Sequence, residues 1–226
     1  MTSLAVNQWD WDRHTPQFVE AIQQTLQMVS ISLLIGGALG LILGLAVYAT
    51  RRGGLFQNRV IYAIINFLIN FIRPIPFIIF LAAIRPLTQT VMGTGLGTRA
   101  MIFPMAIMCT VATARIVEQN LVATPPGVVE AGRAMGASRL HVLLRIVVPE
   151  SLGPLVLGYA FLFVGVVDMS AMAGMIGGGG LGAFAIQWGY QKYNDLVTWV
   201  AVGAIIIIVQ IVQGVGNGLA RKLIRH

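Results

Sequence analysis

The sequence predicts an all-α polytopic membrane protein with five transmembrane helices in each chain. Of its 226 residues, 57% are hydrophobic and only 10% are charged, and the mean hydropathy is +0.81. Soluble domains carry about 25% charged residues, so the composition excludes an ordinary soluble fold. The apolar residues form five separate runs, each near the ~20 residues that a helix needs to cross a bilayer.

Charged, glycine-rich and proline-rich segments separate these runs. The predicted spans cover residues 26–49, 60–84, 98–117, 152–176 and 197–219. The third span is the weakest because Pro104, Thr110 and Thr113 lie inside it. Before the first span, we expect an external segment over residues 1–20 without a removable signal peptide, since it lacks a basic start and a small-residue cleavage site. The whole chain, residues 1–226, is expected to form one transmembrane domain.

The distribution of lysine and arginine orients the spans. Nine basic residues fall on one side, namely Arg51, Arg52, Arg59, Arg133, Arg139, Arg145, Arg221, Lys222 and Arg225. Four fall on the other side, namely Arg13, Arg85, Arg99 and Lys192. Cytoplasmic loops carry the excess of basic residues, so the C-terminus and the loop after the third span are predicted to be cytoplasmic and the N-terminus external. The net charge of +7 follows this pattern and forms no basic stripe that would indicate nucleic-acid binding.

The predicted cytoplasmic loop contains the most informative segment, EAGRAMGASRLHVLLRIVVP, over residues 130–149. Pro125 and Pro126 can begin a short helix because proline is tolerated in the first helical turn. Gly136 suits a left-handed helix end, and Ser138 suits the N-cap of a second short helix over about residues 139–147. Pro149 is expected to mark the transition into the next span.

The surface of this predicted helix-turn-helix combines small and charged side chains. Ala131 and Gly132 would allow a partner backbone to approach closely. Glu130, Arg133 and Arg139 would add charges at the edges of the contact. The segment is therefore predicted to bind a cytoplasmic partner.

The spacing of the segment resembles the signature of bacterial ABC-importer permeases, in which E-A-A is followed after three residues by G and after nine more by I-x-L-P. The matching residues are Glu130, Ala131, Gly136, Ile146 and Pro149. Gly132 replaces the second alanine and Val148 replaces the leucine. The resemblance implies the type I ABC-importer permease fold, with the segment over residues 124–149 acting as a coupling helix in a groove of an ATP-binding subunit.

Further stretches extend the resemblance from about Ala21 onward. The stretches FIRPIPFIIF, GTGLGTRA, VVEAGRAMGAS, SAMAGMIGGGGLG and QWGYQKYN are similar to the permeases of the D- and L-methionine importer family. This resemblance implies a homodimer in the bacterial inner membrane, two cytoplasmic ATP-binding cassette subunits and an extracytoplasmic substrate-binding protein. Transport would proceed by alternating access. The partner ATPase would bind ATP and Mg²⁺, and this chain would hold no cofactor.

Small residues recur at helical spacing in two spans. Ser32, Gly36, Gly40 and Gly44 repeat every four residues, and Gly214 and Gly218 repeat the spacing in the fifth span. Such stripes let helices approach closely in lipid. They predict either packing within the chain or a contact between two copies of it.

Polar residues at membrane depth indicate either helix contacts or a solute path. Arg73 and Asp168 lie inside the second and fourth spans, and we expect them either to pair or to face the translocation path. Alternatively, Arg73 bonds carbonyls freed near the prolines that follow it. Gln210, Gln213 and Asn217 share one face of the fifth span, where they would join helices or line the path.

The sequence contains no recognisable catalytic or metal-binding constellation. The glycine-rich stretch over residues 174–182 lacks the lysine of a P-loop, and we interpret it as a tight turn or re-entrant corner. His14, His141 and His226 have no second metal ligand at a useful spacing. The chain is therefore predicted to be a transport subunit and not an enzyme. The alternatives are a permease for another small amino acid or osmolyte, and a non-transport membrane scaffold or intramembrane enzyme.

Overall fold

The computed structural model describes residues 11–224, and the side chains from His14 to Leu223. All regular structure in this range is helical. The α-helices are α1 (Trp11–Thr50), α2 (Arg59–Ile72), α3 (Phe77–Met92), α4 (Thr98–Val122), α5 (Pro126–Ala134), α6 (Arg139–Val142), α7 (Val148–Glu150), α8 (Leu152–Ala173), α9 (Gly180–Phe184) and α10 (Asp195–Ile224). π-Helical turns cover Leu143–Val147, Gly174–Gly178 and Ala185–Gly189, and a 3₁₀ turn covers Tyr190–Lys192.

Four of the described helical segments are individually long and apolar enough to cross a membrane, and α2 with α3 can supply a fifth, broken span. The prediction of an all-α, five-span protein is thus confirmed, but the prediction of one continuous helix over residues 60–84 is wrong. Pro74 and Pro76 lack an N–H for helical hydrogen bonding, and each disfavours helical geometry in the residue before it. Helix α2 consequently ends at Ile72, and α3 begins only at Phe77.

Two other boundaries differ from the predicted spans. Helix α1 begins at Trp11 instead of residue 26, so the described part of the predicted external segment is helical. Helix α10 continues past the predicted end at residue 219 to Ile224. A helix can continue beyond the hydrocarbon layer, because polar residues there stay hydrated. The length of an apolar run in the sequence therefore underestimates the length of the helix that contains it.

The chain divides into two compact units. Unit 1 combines the described residues up to Ser32 with Pro76–Met105 and Gly165–Ile211. Unit 2 combines Leu33–Ile75, Ala106–Val164 and the described residues from Val212 onward.

The core of unit 1 surrounds the short helix α9. Leu181 and Phe184 are buried together with Ala21, Val197 and Ala201. The ring of Phe18 packs at a tilt against Phe184, with 5.3 Å between the ring centroids. These contacts join α1, α9 and α10.

The glycine-rich stretch after α8 forms a tight corner in unit 1, as the sequence predicts. Gly177, Gly179 and Gly180 have φ values of 93°, 79° and 80°, a region that other residues rarely adopt. Gly180 N–H donates to Gln24 Oε1 at 2.6 Å, and Leu181 N–H donates to Thr25 Oγ1 at 2.8 Å. The side chains of α1 therefore satisfy backbone groups at the start of α9 that have no partner within that helix.

Close packing of α1 on α4 organises unit 2. A Cβ added to Gly36 would lie 2.6 Å from Ala106 O, and one added to Gly44 would lie 2.6 Å from Val117 Cβ. Gly40 faces Thr110 O at 2.6 Å in the same way. This geometry corresponds to the packing-within-the-chain alternative for the first glycine stripe.

The second glycine stripe behaves differently. No described atom lies within 4 Å of a Cβ added to Gly214 or Gly218. The suggestion that these two glycines serve packing within the chain therefore receives no support from the described residues, and a contact with a second copy stays a prediction.

Candidate functional site

The segment between α4 and α8 has the predicted helix-turn-helix geometry. Helix α5 starts with Pro126 in its first turn, and Gly136 after it has a φ of 80°. The carbonyl of Gly132 accepts a bond from Ala137 N–H at 3.2 Å, which closes the end of the helix. Ser138 caps α6 by accepting a bond from His141 N–H at 3.3 Å. The predicted left-handed glycine and serine N-cap are both confirmed.

The second half of the segment differs from the single predicted helix over residues 139–147. Helix α6 is short, a π-helical turn follows, and α7 then carries Pro149 in its first turn. Pro149 therefore lies within the helical segment and does not end it. Because Pro149 cannot donate to the carbonyl of Arg145, the regular α-helical bonding is interrupted there.

Two hydroxyl groups connect the ends of the segment. Thr124 Oγ1, before α5, lies 2.9 Å from Ser151 Oγ, after α7, and both residues are buried. Ser151 Oγ also donates to Val147 O at 2.9 Å. The segment is thus closed at its base by buried hydrogen bonds.

A compact apolar core holds the segment against the helices of unit 2. Val142, Leu143 and Val147 are buried with Val117 and Leu121 of α4. Side chains packed in this way restrict the movement of the segment relative to the end of α4.

Gly132 lies inside the segment, which corrects the expectation that it faces a partner. The residue is buried, and an added Cβ would be 2.6 Å from Ile146 Cδ1. The absence of a side chain lets the two halves of the segment pack together. Packing within the chain therefore accounts for a glycine at the position where the signature has its second alanine.

The other predicted residues of the segment lie on its surface. Glu130, Ala131, Arg133, Gly136, Arg139 and Pro149 are all exposed. Large apolar side chains share this surface, since Met135 is 80% exposed and Leu140 is 56% exposed. The sequence-based predictions did not include these two residues, although Met135 directly precedes the predicted left-handed Gly136. Apolar side chains ringed by charges are typical of a protein interface.

A cavity of about 190 Å³ adjoins α5 and the turn between α1 and α2. Arg51, Glu130 and Arg133 line it together with Tyr48. The Arg51 guanidinium stacks on the Tyr48 ring, 4.5 Å from the ring centroid. The turn after α1 therefore adds a positive charge beside Glu130 to the same surface.

An intramembrane polar cluster joins α4 to α2 in unit 2. Arg115 donates hydrogen bonds to Glu118, to Asn66 Oδ1 at 3.0 Å and to Asn70 Oδ1 at 2.6 Å. Its Nε is buried and has no hydrogen-bond partner among the described residues. The sequence-based predictions did not include this cluster, although the i, i+3 spacing of Arg115 and Glu118 in an apolar run was a usable signal.

The remaining predicted polar residues are mostly exposed. Arg73 in unit 2 and Asp168 in unit 1 are both exposed, and their pairing stays a prediction. Gln210 and Asn217 are exposed, and Gln213 is half-buried. No group of three or more potential metal ligands occurs within residues 11–224, and His226 lies outside this range.

Known proteins resemble this chain over nearly its full length. The family model described as "Binding-protein-dependent transport system inner membrane component" matches residues 25–225. The chain is 35% identical over 223 residues to the probable D-methionine transport system permease protein MetI of Vibrio cholerae, with 99% of each chain covered. It is 38% identical over 171 residues to the methionine import system permease protein MetP of Bacillus subtilis, covering 76% of this chain and 77% of that one.

Solved structures agree with the sequence comparison. An inward-facing structure of the MetNI methionine ABC transporter superposes with a TM-score of 0.90 and 33% sequence identity, covering 94% of this chain and 98% of that chain. The chain belongs to the family of inner membrane components of binding-protein-dependent transport systems, and it is a permease subunit.

Proposed function

We propose that this chain is the membrane-spanning permease of an ATP-driven importer that moves methionine into the cell by alternating access. The observation that carries the proposal is the likeness over nearly the whole chain, in sequence and in fold, to proteins named as methionine permeases. The wholly helical architecture with apolar spans fits a path through the membrane. The chain would be a multi-pass protein of the bacterial inner membrane, with its N-terminus outside and its C-terminus in the cytoplasm.

The segment over residues 124–149 is the proposed contact with the ATPase. Its exposed face offers Met135 and Leu140 for burial, with Glu130, Arg133 and Arg139 around them. The buried core beneath it and the Thr124–Ser151 bond give it the rigidity that a coupling element needs. Gly132 and Gly136 maintain its shape, one by close packing and the other by its positive φ.

The full importer would contain two copies of this chain, two ATP-binding cassette subunits and an external substrate-binding protein. ATP and Mg²⁺ would bind to the cassette subunits. Closure of these subunits would move the segments and open the path outward, and hydrolysis would reset it. Along that path, we assign a lining or pairing role to Arg73, Asp168, Gln210, Gln213 and Asn217. The whole chain, residues 1–226, would act as one transmembrane domain.

Uptake of labelled methionine tests the proposal. The chain is deleted from its host, and uptake is then measured after restoration of the wild type or of Glu130→Lys. We expect loss on deletion, recovery with the wild type and failure with Glu130→Lys. Glu150→Lys is the matched control because Glu150 is an exposed acid on the same predicted side but outside the signature spacing.

The outcomes separate substrate from coupling. Equal uptake by Glu130→Lys and the wild type would contradict the coupling role of the segment. Unchanged methionine uptake on deletion, together with loss of another solute from a labelled panel of amino acids and osmolytes, would overturn methionine as the substrate. If deletion reduces the uptake of none of the solutes and no ATPase copurifies with the chain, a membrane scaffold would be favoured.

A further inference from the structure

We propose that a small cavity in unit 1 is a transit site that binds an apolar amino acid through its carboxylate and side chain. The cavity has a volume of about 200 Å³ and lies among α3, the loop after it, the start of α4 and the turn after α8. The inference rests on the proposed function because it assigns a binding position within the permease to the imported amino acid. Binding at the cavity and import by the whole importer are therefore measured separately, so the proposed site and the proposed function can be refuted independently.

An exposed arginine lies at this cavity. Arg85 lines it, and no hydrogen-bond or ion-pair partner of Arg85 occurs among the described residues. The stem of the side chain crosses Gly95, where an added Cβ would be only 3.2 Å from Arg85 Cγ. Gly95 thus leaves room for the arginine to lie along the cavity.

The chemistry of the guanidinium selects an anion with two oxygens. Arginine stays charged in proteins and presents paired N–H donors that match a carboxylate. All residues that line the cavity are described, and none of them is acidic. A ligand carboxylate would therefore supply the counter-ion that the protein does not.

A backbone acceptor lies one helical turn before the arginine. Pro86 is inside α3 and has no N–H to donate to the carbonyl of Ala82. Ala82 also lines the cavity. A carbonyl without its helical donor is suited to accept a bond from the ammonium group of an amino acid. One face of α3 thus offers Arg85 to the carboxylate of an amino acid and the carbonyl of Ala82 to its ammonium group.

The remaining walls are apolar except at Thr88, whose hydroxyl donates to Ile84 O at 3.2 Å within α3. Leu81, Met101, Pro104 and Ile176 surround the polar end. Methionine side chains adapt their shape to a ligand and make favourable contacts with sulfur and apolar groups. The volume equals that of about seven water molecules, which suits one amino acid and is too small for a peptide.

The charge pattern of the sequence predicts that Arg85 lies on the external half of the protein, since it belongs to the four basic residues on that side. A site there would receive the amino acid after release from the binding protein and before entry into the cell. Weak binding would suit this role because a solute in transit must also leave.

Direct binding to the purified permease–ATPase complex tests the site. The complex is placed in nanodiscs of zwitterionic lipid without a binding protein, and saturable binding of labelled methionine is measured. We expect binding by the wild type and a loss of affinity of about tenfold or more in Arg85→Met, because a charge-assisted contact is removed. Arg99→Met is the matched control, since Arg99 is also an exposed arginine of unit 1 and does not line the cavity.

Competitors and a second variant establish what the site recognises. Norleucine should displace the label, whereas methioninol, which has an alcohol in place of the carboxylate, should not. Ala82→Phe keeps the charge but fills the cavity, and it should also abolish binding. A size-exclusion profile and an unfolding temperature equal to those of the wild type show that each variant is folded.

Several outcomes would overturn the site. The site is refuted if the wild type shows no saturable binding of labelled methionine, or if Arg85→Met binds it with the affinity of the wild type. It is also refuted if methioninol competes as well as methionine. Lastly, it is refuted if Arg85→Met binds methionine less tightly than the wild type only when anionic lipid is added to the nanodiscs. Reconstitution of the wild type with binding protein and ATP tests the proposed function separately. Methionine import without an Arg85-dependent site would leave the function intact and refute the site. Import of a different class of solute would refute both.

Discussion

Replacement of Arg115 by methionine should destabilise unit 2 more than any surface substitution. Arg115 is the only described partner of the Glu118 side chain, and the side chains of the pair are 18% and 11% exposed. Arg115→Met leaves the carboxylate buried without a partner and also removes the bonds to Asn66 and Asn70. Removal of one member of a buried pair costs about 3–5 kcal/mol.

The double variant is the decisive comparison. Arg115→Met with Glu118→Met removes both charges, so no unpaired charge remains buried, and replacement of a buried pair by apolar residues is often nearly neutral. We therefore expect the double variant to be clearly more stable than Arg115→Met alone. This non-additivity would measure the coupling between the two side chains.

Thermal unfolding in detergent, followed by fluorescence-detected size exclusion, provides the assay. For a chain of this length, 1 kcal/mol corresponds to about 2–4 °C, so Arg115→Met should unfold about 6–20 °C below the wild type. Arg99→Met, an exposed substitution at the start of α4, should change stability by about 0.5 kcal/mol or less. A single variant that unfolds with the wild type, or a double variant as unstable as the sum of the two singles, would refute the reasoning.

Three further predictions concern the coupling segment and the glycine stripe. Gly136→Val should permit membrane insertion but uncouple transport from ATP hydrolysis, because valine at a φ of 80° is strained by about 1–3 kcal/mol; normal import with normal ATPase stimulation would contradict this. Gly40→Leu should prevent folded protein from accumulating, since α1 and α4 could no longer approach, and wild-type yields on size exclusion would disprove it. Met135→Asp should leave the unfolding temperature unchanged while copurification of the ATPase falls at least tenfold, and full recovery of the complex would exclude Met135 from the interface.

Each of these substitutions has a control in the same chain. Gly127→Val places the same side chain in α5 at a position without a positive φ and with no atom within 4 Å of the added Cβ. Gly203→Leu places leucine at a glycine of α10 with no such neighbour. For Met135, the control is Tyr190→Asp, an exposed side chain of unit 1 outside both the segment and the predicted spans. The control variants should fold like the wild type. A defect that appears in both a test variant and its control would show that the introduced side chain, and not the tested position, is the cause.

The amino-acid sequence alone determined the features that depend on local chemistry. Apolar runs identified the spans because the bilayer sets their length. Gly136 and Ser138 marked the turn and cap of the coupling segment, since both act on the backbone within a few residues. Pro74 and Pro76 were equally visible, but the apolar composition of residues 60–84 concealed the break that they cause.

Only the tertiary structure decided the features that join distant parts of the chain. Asn66 and Asn70 precede Arg115 by 49 and 45 residues, so no local pattern could link them. Gly132 looked like a surface residue until Ile146 was placed against it. The cavity at Arg85 likewise collects side chains from four separate segments. Local backbone preferences act over a helical turn, whereas contacts between helices depend on which faces meet, and that is settled only when the whole chain packs.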